Sequence, residues 1–65
     1  MTQLELETHI ESLMDAHTAQ RVLNAIVSVC QDKAEHVRSN WQDEPLSSEW
    51  LRAARAVNRA AIRIP

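Results

Sequence analysis

Four arginines near the end of the chain have the residue type and the spacing to bind an anion. Arg52, Arg55, Arg59 and Arg63 follow one another at intervals of 3, 4 and 4 residues, which places all four on one side of an α-helix. Each guanidinium can donate two parallel hydrogen bonds to a phosphate or a carboxylate. We call this set the arginine stripe. It is either a solvated face of the helix or binds an acidic protein, a nucleic-acid backbone or carboxylates of the chain itself.

Three carboxylates in the N-terminal part could complement the arginine stripe. Glu7, Glu11 and Asp15 are spaced 4 residues apart, so they repel one another along a helix unless a positive group lies beside them. We predict that they pair with the arginine stripe, either within one chain or between two chains. Exposed pairs contribute only about 0.2 to 1 kcal/mol each, so they would orient the helices more than stabilise them.

The overall charge argues against a general nucleic-acid-binding domain. Seven Lys and Arg stand against nine Asp and Glu, a formal net charge of −2, whereas such domains usually have a basic excess. Base recognition also uses mixed Arg, Asn, Gln and Ser side chains, and the stripe is arginine alone. Nucleic-acid binding is therefore the alternative, and protein-protein interaction is the leading interpretation.

The remaining reactive residue types form no catalytic or metal-binding pattern. Cys30 is the single cysteine, and with His9, His17 and His36 it gives no C-x-x-C or H-x-x-x-H pair of the kind that binds zinc. Because Cys30 falls in an apolar helical segment, we predict a buried thiol and not a nucleophile. We expect no enzyme activity, no cofactor and no metal. A lone thiol is typical of a reducing compartment, and the cytoplasm is the expected location.

Helices must position all of these residues. The chain contains no Gly, Tyr or Phe, whereas β-sheets draw on glycine turns and on aromatic residues. Apolar residues recur with helical spacing, so we predict an all-α fold, an antiparallel three-helix bundle in one domain. The predicted helices span about 3–17, 19–39 and 48–63.

Capping residues define the predicted helix ends. Thr2 with Glu5 forms a capping-box pattern, and Thr18 and Ser47 are the predicted N-caps of the second and third helices. Asn40 is the predicted left-handed cap at the end of the second helix. A single kinked helix across the first junction is the alternative to two separate helices.

The second helix carries more apolar surface than one neighbour covers. Its apolar side chains span an arc of about 160°, wider than the roughly 100° of a one-sided surface helix. We expect both neighbouring helices to pack on it. A second copy of the chain, most simply in a two-fold dimer, is expected to bury the surplus.

Three further side chains are candidates for contacts. Trp41 and Trp50 bracket the predicted loop, where they either close the end of the core or anchor a partner. Asn58 is a polar residue in the apolar sector of the third helix. It either sets the register of helix packing or is a boundary residue bonded to backbone or water.

The sequence thus predicts a small non-enzymatic helical protein of regulatory or adaptor type that acts by protein-protein interaction and self-associates. No apolar stretch approaches the roughly 20 residues that span a membrane, so we expect no membrane association.

Overall fold

The protein forms three helices in a computed structural model that describes residues 1–64. They are α1, Gln3–Ala16, α2, Ala19–Trp41, and α3, Glu44–Ile62. No strand occurs within residues 1–64. This confirms the all-α prediction and the number of helices.

The start of α1 is fixed by the predicted capping box. The hydroxyl of Thr2 accepts a hydrogen bond from the Glu5 backbone N–H, and the Glu5 carboxylate accepts one from the Thr2 N–H, each at 3.1 Å. The bond from the Thr2 backbone N–H, and next the interaction with the Thr2 hydroxyl, hold the pKa of Glu5 below its ordinary value, because both favour the ionised carboxylate. Two backbone donors that no helical carbonyl reaches are satisfied in this way.

Two extended residues separate α1 from α2. His17 and Thr18 both have extended backbone angles, and the Thr18 hydroxyl accepts a hydrogen bond of 3.1 Å from the Arg21 N–H. The predicted N-cap is therefore present, and α1 and α2 are two helices and not one kinked helix. The extended link turns the axis of α1 away from α2.

The second helix extends two residues beyond its predicted end near residue 39. Asn40 remains helical, and its side-chain amide donates to the backbone carbonyl of His36 at 3.0 Å. Gln42 instead takes the left-handed conformation, with φ 53° and ψ 32°. Asn40 is satisfied within the last turn, so the left-handed position moves two residues along the chain.

The predicted start of α3 is also wrong, because Ser47 is not its N-cap. Asp43 caps the helix, and its carboxylate accepts a hydrogen bond of 3.1 Å from the Leu46 N–H. Pro45 lies in the first turn, where a missing N–H removes no intrahelical bond. A proline disfavours the helical conformation at the residue before it. Glu44 is nevertheless helical, because the Asp43 cap and the position of Pro45 in the first turn favour a helix that begins here.

The interface between α2 and α3 is built from small side chains. Two hydrogen bonds cross it at opposite ends and show that the helices are antiparallel. Ser47 Oγ donates to the carbonyl of Ala34 at 3.0 Å, and Gln20 Nε2 donates to the carbonyl of Ala61 at 3.4 Å. The buried residues are Cys30, Ala34, Ser47, Ala54 and Ala61. Side chains this small let the two helices approach closely, and we refer to the pair as the hairpin.

In contrast, α1 lies largely apart from the hairpin. It makes few contacts with α2 and contributes no buried residue. The prediction that both neighbours cover α2 is therefore met by α3 and not by α1. The extended link at His17 and Thr18 is the physical reason, since it directs α1 away from the surface of α2 that it would otherwise cover.

The chain is less compact than its length predicts. The Cα radius of gyration is 13.4 Å, whereas a compact domain of this length has about 10.8 Å. The principal dimensions are 37 × 29 × 15 Å. The separation of α1 from the hairpin accounts for this extended shape, since α1 makes few contacts with α2.

Candidate interaction surface

The apolar face of α1 is exposed to solvent along its whole length. Leu6, Ile10, Leu13 and Met14 are between 37% and 48% exposed, although they form the apolar stripe through which an amphipathic helix normally packs. An isolated helix of 14 residues is marginal in water, because most helical stability in proteins comes from packing. This face of α1 therefore lacks the contacts that would stabilise the helix.

A second apolar surface lies where the end of α1 meets the hairpin. Leu13, Val22, Ile26, Val29 and Trp50 line an open groove with a volume of about 570 Å³. Ile26 is 38% exposed and Val29 52%, and both belong to the wide apolar arc predicted for α2. We call this surface the groove. It is continuous with the apolar face of α1 through Leu13.

The two tryptophans occupy different environments. Trp50 is half-buried beside the groove, and the ammonium of Lys33 lies 5.5 Å from the centre of its ring, within the distance of a cation–π interaction. Trp41 is 74% exposed. Closing the end of the core, one of the two roles considered for the tryptophans, is therefore excluded for Trp41, which lies at the end of α2. Its role as an anchor for a partner stays a prediction.

The arginine stripe is exposed and makes no ion pair within residues 1–64. Arg52, Arg55 and Arg59 lie in α3, and Arg63 follows as its C-terminal cap. The single ion pair in this part of the chain joins Arg38 to Glu35 at 2.6 Å. Hydrogen bonds from Ser39 and Arg38 lower the pKa of Glu35.

The carboxylates expected to pair with the arginine stripe are exposed as well. Glu7, Glu11 and Asp15 all lie in α1, and none is in an ion pair among the described residues. These carboxylates therefore do not pair with the arginine stripe within one chain. Pairing between two chains stays a prediction.

The polar residue inside the helix interface is Ser47 and not Asn58. Asn58 is exposed beside Val27 and Leu51, so it does not set the register of α2 against α3. Ser47 is 3% exposed, and its hydroxyl is satisfied by Ala34. A signal for this role was present in the sequence, because Ser47 precedes the buried Ala54 by 7 residues, close to two helical turns.

The structure adds two observations on metal-binding and membrane-spanning features. Residues 1–64 contain no group of three or more His, Cys, Asp or Glu side chains that could hold a metal ion. In the same part of the chain, no helix combines the length and the apolar character needed to cross a membrane.

No protein-family model matches this sequence, and no curated protein or solved structure shows significant similarity to it. The function must therefore be inferred from the surfaces described above.

Proposed function

We propose that the protein is a small non-enzymatic interaction protein, of regulatory or adaptor type, that acts through its helical surface and self-associates. The observation that supports this most directly is the exposure of the apolar face of α1 together with the groove. Soluble monomers rarely expose contiguous apolar patches larger than a few hundred Å², and larger patches mark interaction sites.

The total accessible surface is larger than that of a compact monomer, by an amount that one protein-protein interface would bury. The chain exposes 5273 Å², whereas a compact folded monomer of 7.4 kDa exposes about 4200 Å². The excess is about 1000 Å². A standard protein-protein interface buries about 800 Å² on each partner, so one such interface would bring the exposed surface close to the ordinary value.

Self-association is tested by light scattering and thermal unfolding over a series of protein concentrations. We expect a mass near twice the 7.4 kDa of one chain at high concentration, falling on dilution. The unfolding midpoint should rise with concentration, because association stabilises only the folded state. A mass of one chain throughout, with a midpoint independent of concentration, would refute self-association.

The proposed location is the cytoplasm. Cys30 is a buried free thiol, and unpaired cysteines are typical of reducing compartments. The test is the position of a fluorescent fusion of the full chain.

A second candidate function is nucleic-acid binding through the arginine stripe. It is favoured by four exposed arginines that make no ion pair within residues 1–64. The test is fluorescence anisotropy of labelled duplex DNA and single-stranded RNA between about 50 and 200 mM salt. Four phosphate contacts would give a slope of about −3.6 in a plot of log K against log salt for duplex DNA.

A charge-matched control makes this test specific. The double variant Arg55→Gln/Arg59→Gln removes two charges from the stripe, and Arg21→Gln/Arg38→Gln removes two from α2. Loss of binding in the first variant alone would support this candidate. Absence of binding by the unmodified protein at the lowest salt would eliminate it.

A further inference from the structure

One chain carries both halves of a helix-in-groove contact. We propose that the groove binds α1 of a second copy and that the exchange is reciprocal, so that each copy both donates its α1 and receives that of its partner. This inference rests on the proposed self-association and names its interface. The donor is the face formed by Leu6, Ile10 and Leu13, and the acceptor is the groove beside Ile26 and Trp50.

Charge favours a second copy as the occupant. Residues 1–18 carry four carboxylates and no Lys or Arg, whereas residues 19–65 carry seven Lys or Arg against five carboxylates. Two copies of α1 packed only on each other would bring carboxylates together, which is unfavourable. Placed on the hairpin of another copy, α1 meets Arg21 at the edge of the groove and Lys33 beside Trp50.

The backbone explains why the chain does not fill its own groove. The extended conformations of His17 and Thr18 direct α1 away from the hairpin, so that Leu6 and Ile10 lie without a partner. Only the C-terminal end of α1, at Leu13, borders the groove.

A two-fold arrangement meets this geometry in a single interface. Because Leu13 belongs to both surfaces, the apolar face of α1 and the groove form one continuous patch, as the self-complementary interface of a two-fold dimer requires. The contact would also give the exposed apolar face of α1 the packing that an amphipathic helix normally has. The same interface would bury most of the excess accessible surface calculated above.

The inference is tested first with a pair of variants matched in exposure. Ile26 in the groove and Leu51 outside it are both 38% exposed. We expect Ile26→Asp to weaken dimerisation at least tenfold by sedimentation equilibrium, and Leu51→Asp to change it less than twofold. Circular dichroism of each variant verifies that the helices are retained. Equal effects of the two variants would contradict the groove as the interface.

A direct measurement covers the case in which Ile26→Asp unfolds the chain. In a dimer mixed from isotope-labelled and unlabelled copies, filtered nuclear Overhauser spectra report only contacts between chains. We expect contacts from the methyl groups of Leu6 and Ile10 to the indole protons of Trp50. A dimer that lacks them would overturn the exchange of α1 and leave self-association standing. A protein that stays monomeric would overturn both.

Discussion

Replacing Ala54 by Leu should lower the free energy of unfolding by about 1 to 3 kcal/mol, the usual cost of forcing added methylenes into a packed interior. Ala54 is 3% exposed at the closely packed interface of α2 and α3. A chain of 65 residues has a total stability of roughly 3 to 10 kcal/mol, so the loss is a large fraction of the whole. Urea denaturation followed by circular dichroism at 222 nm measures it.

Ala56 provides the matched control for this substitution. It lies in the same helix but is exposed, so Ala56→Leu should change the free energy of unfolding by no more than about 0.5 kcal/mol. Both substitutions add the same side chain to a helical alanine, and the difference between them isolates packing from helix propensity. If Ala54→Leu proved as stable as Ala56→Leu, the close approach of α2 and α3 at this position would be wrong.

Replacing Trp50 by Ala should cost about 3 kcal/mol, the low end of the range for removing a large aromatic side chain from an interior. The low end applies because Trp50 is half-buried. The substitution also removes the ring beneath the ammonium of Lys33, an interaction of about 0.5 to 1 kcal/mol at an exposed site. Because Trp50 also lies in the proposed dimer interface, urea denaturation is measured at a concentration at which both proteins are monomeric, so that association does not contribute to the difference.

Trp41→Ala is the control for Trp50→Ala. Trp41 is 74% exposed at the end of α2, and we expect its removal to change the stability by no more than about 0.5 kcal/mol. Each variant retains one tryptophan, so its fluorescence reports the environment of that tryptophan alone. A larger loss for Trp41→Ala than for Trp50→Ala would contradict the burial described for these two side chains.

The boundaries of α1 and the start of α2 could be predicted from sequence because their signals are local. Thr2 with Glu5, and Thr18 before Arg21, satisfy backbone donors only three residues away, and such patterns depend little on the rest of the fold. Helical spacing together with the absence of glycine was likewise sufficient for the all-α class.

The start of α3 was missed because two residues before it compete for the same role. Asp43 and Ser47 are both good N-cap residues, and Pro45 between them is compatible with either start. The choice depends on tertiary structure, since Ser47 is needed inside the hairpin, where its hydroxyl bonds to Ala34. Asn58 was a candidate for the polar register residue, with a boundary position as the alternative, and its exposure agrees with the boundary position.

The position of α1 could not be predicted from apolar periodicity. The direction of the helix depends on the backbone angles of His17 and Thr18, and the spacing of apolar residues carries no information about those angles. The exposure of the apolar face of α1 was therefore not predicted.

The alanine-rich interface of the hairpin changes how its core can be found by mutagenesis. Ala34, Ala54 and Ala61 are among the least exposed residues of the chain, and an alanine scan, which detects a core by truncation, has nothing to remove at these positions. Such a scan would report sensitivity at partly exposed aliphatic and aromatic residues and overlook the contact between α2 and α3. We accordingly expect these three positions to accept only small side chains, with Gly, Ser and Cys as the tolerated substitutions for alanine.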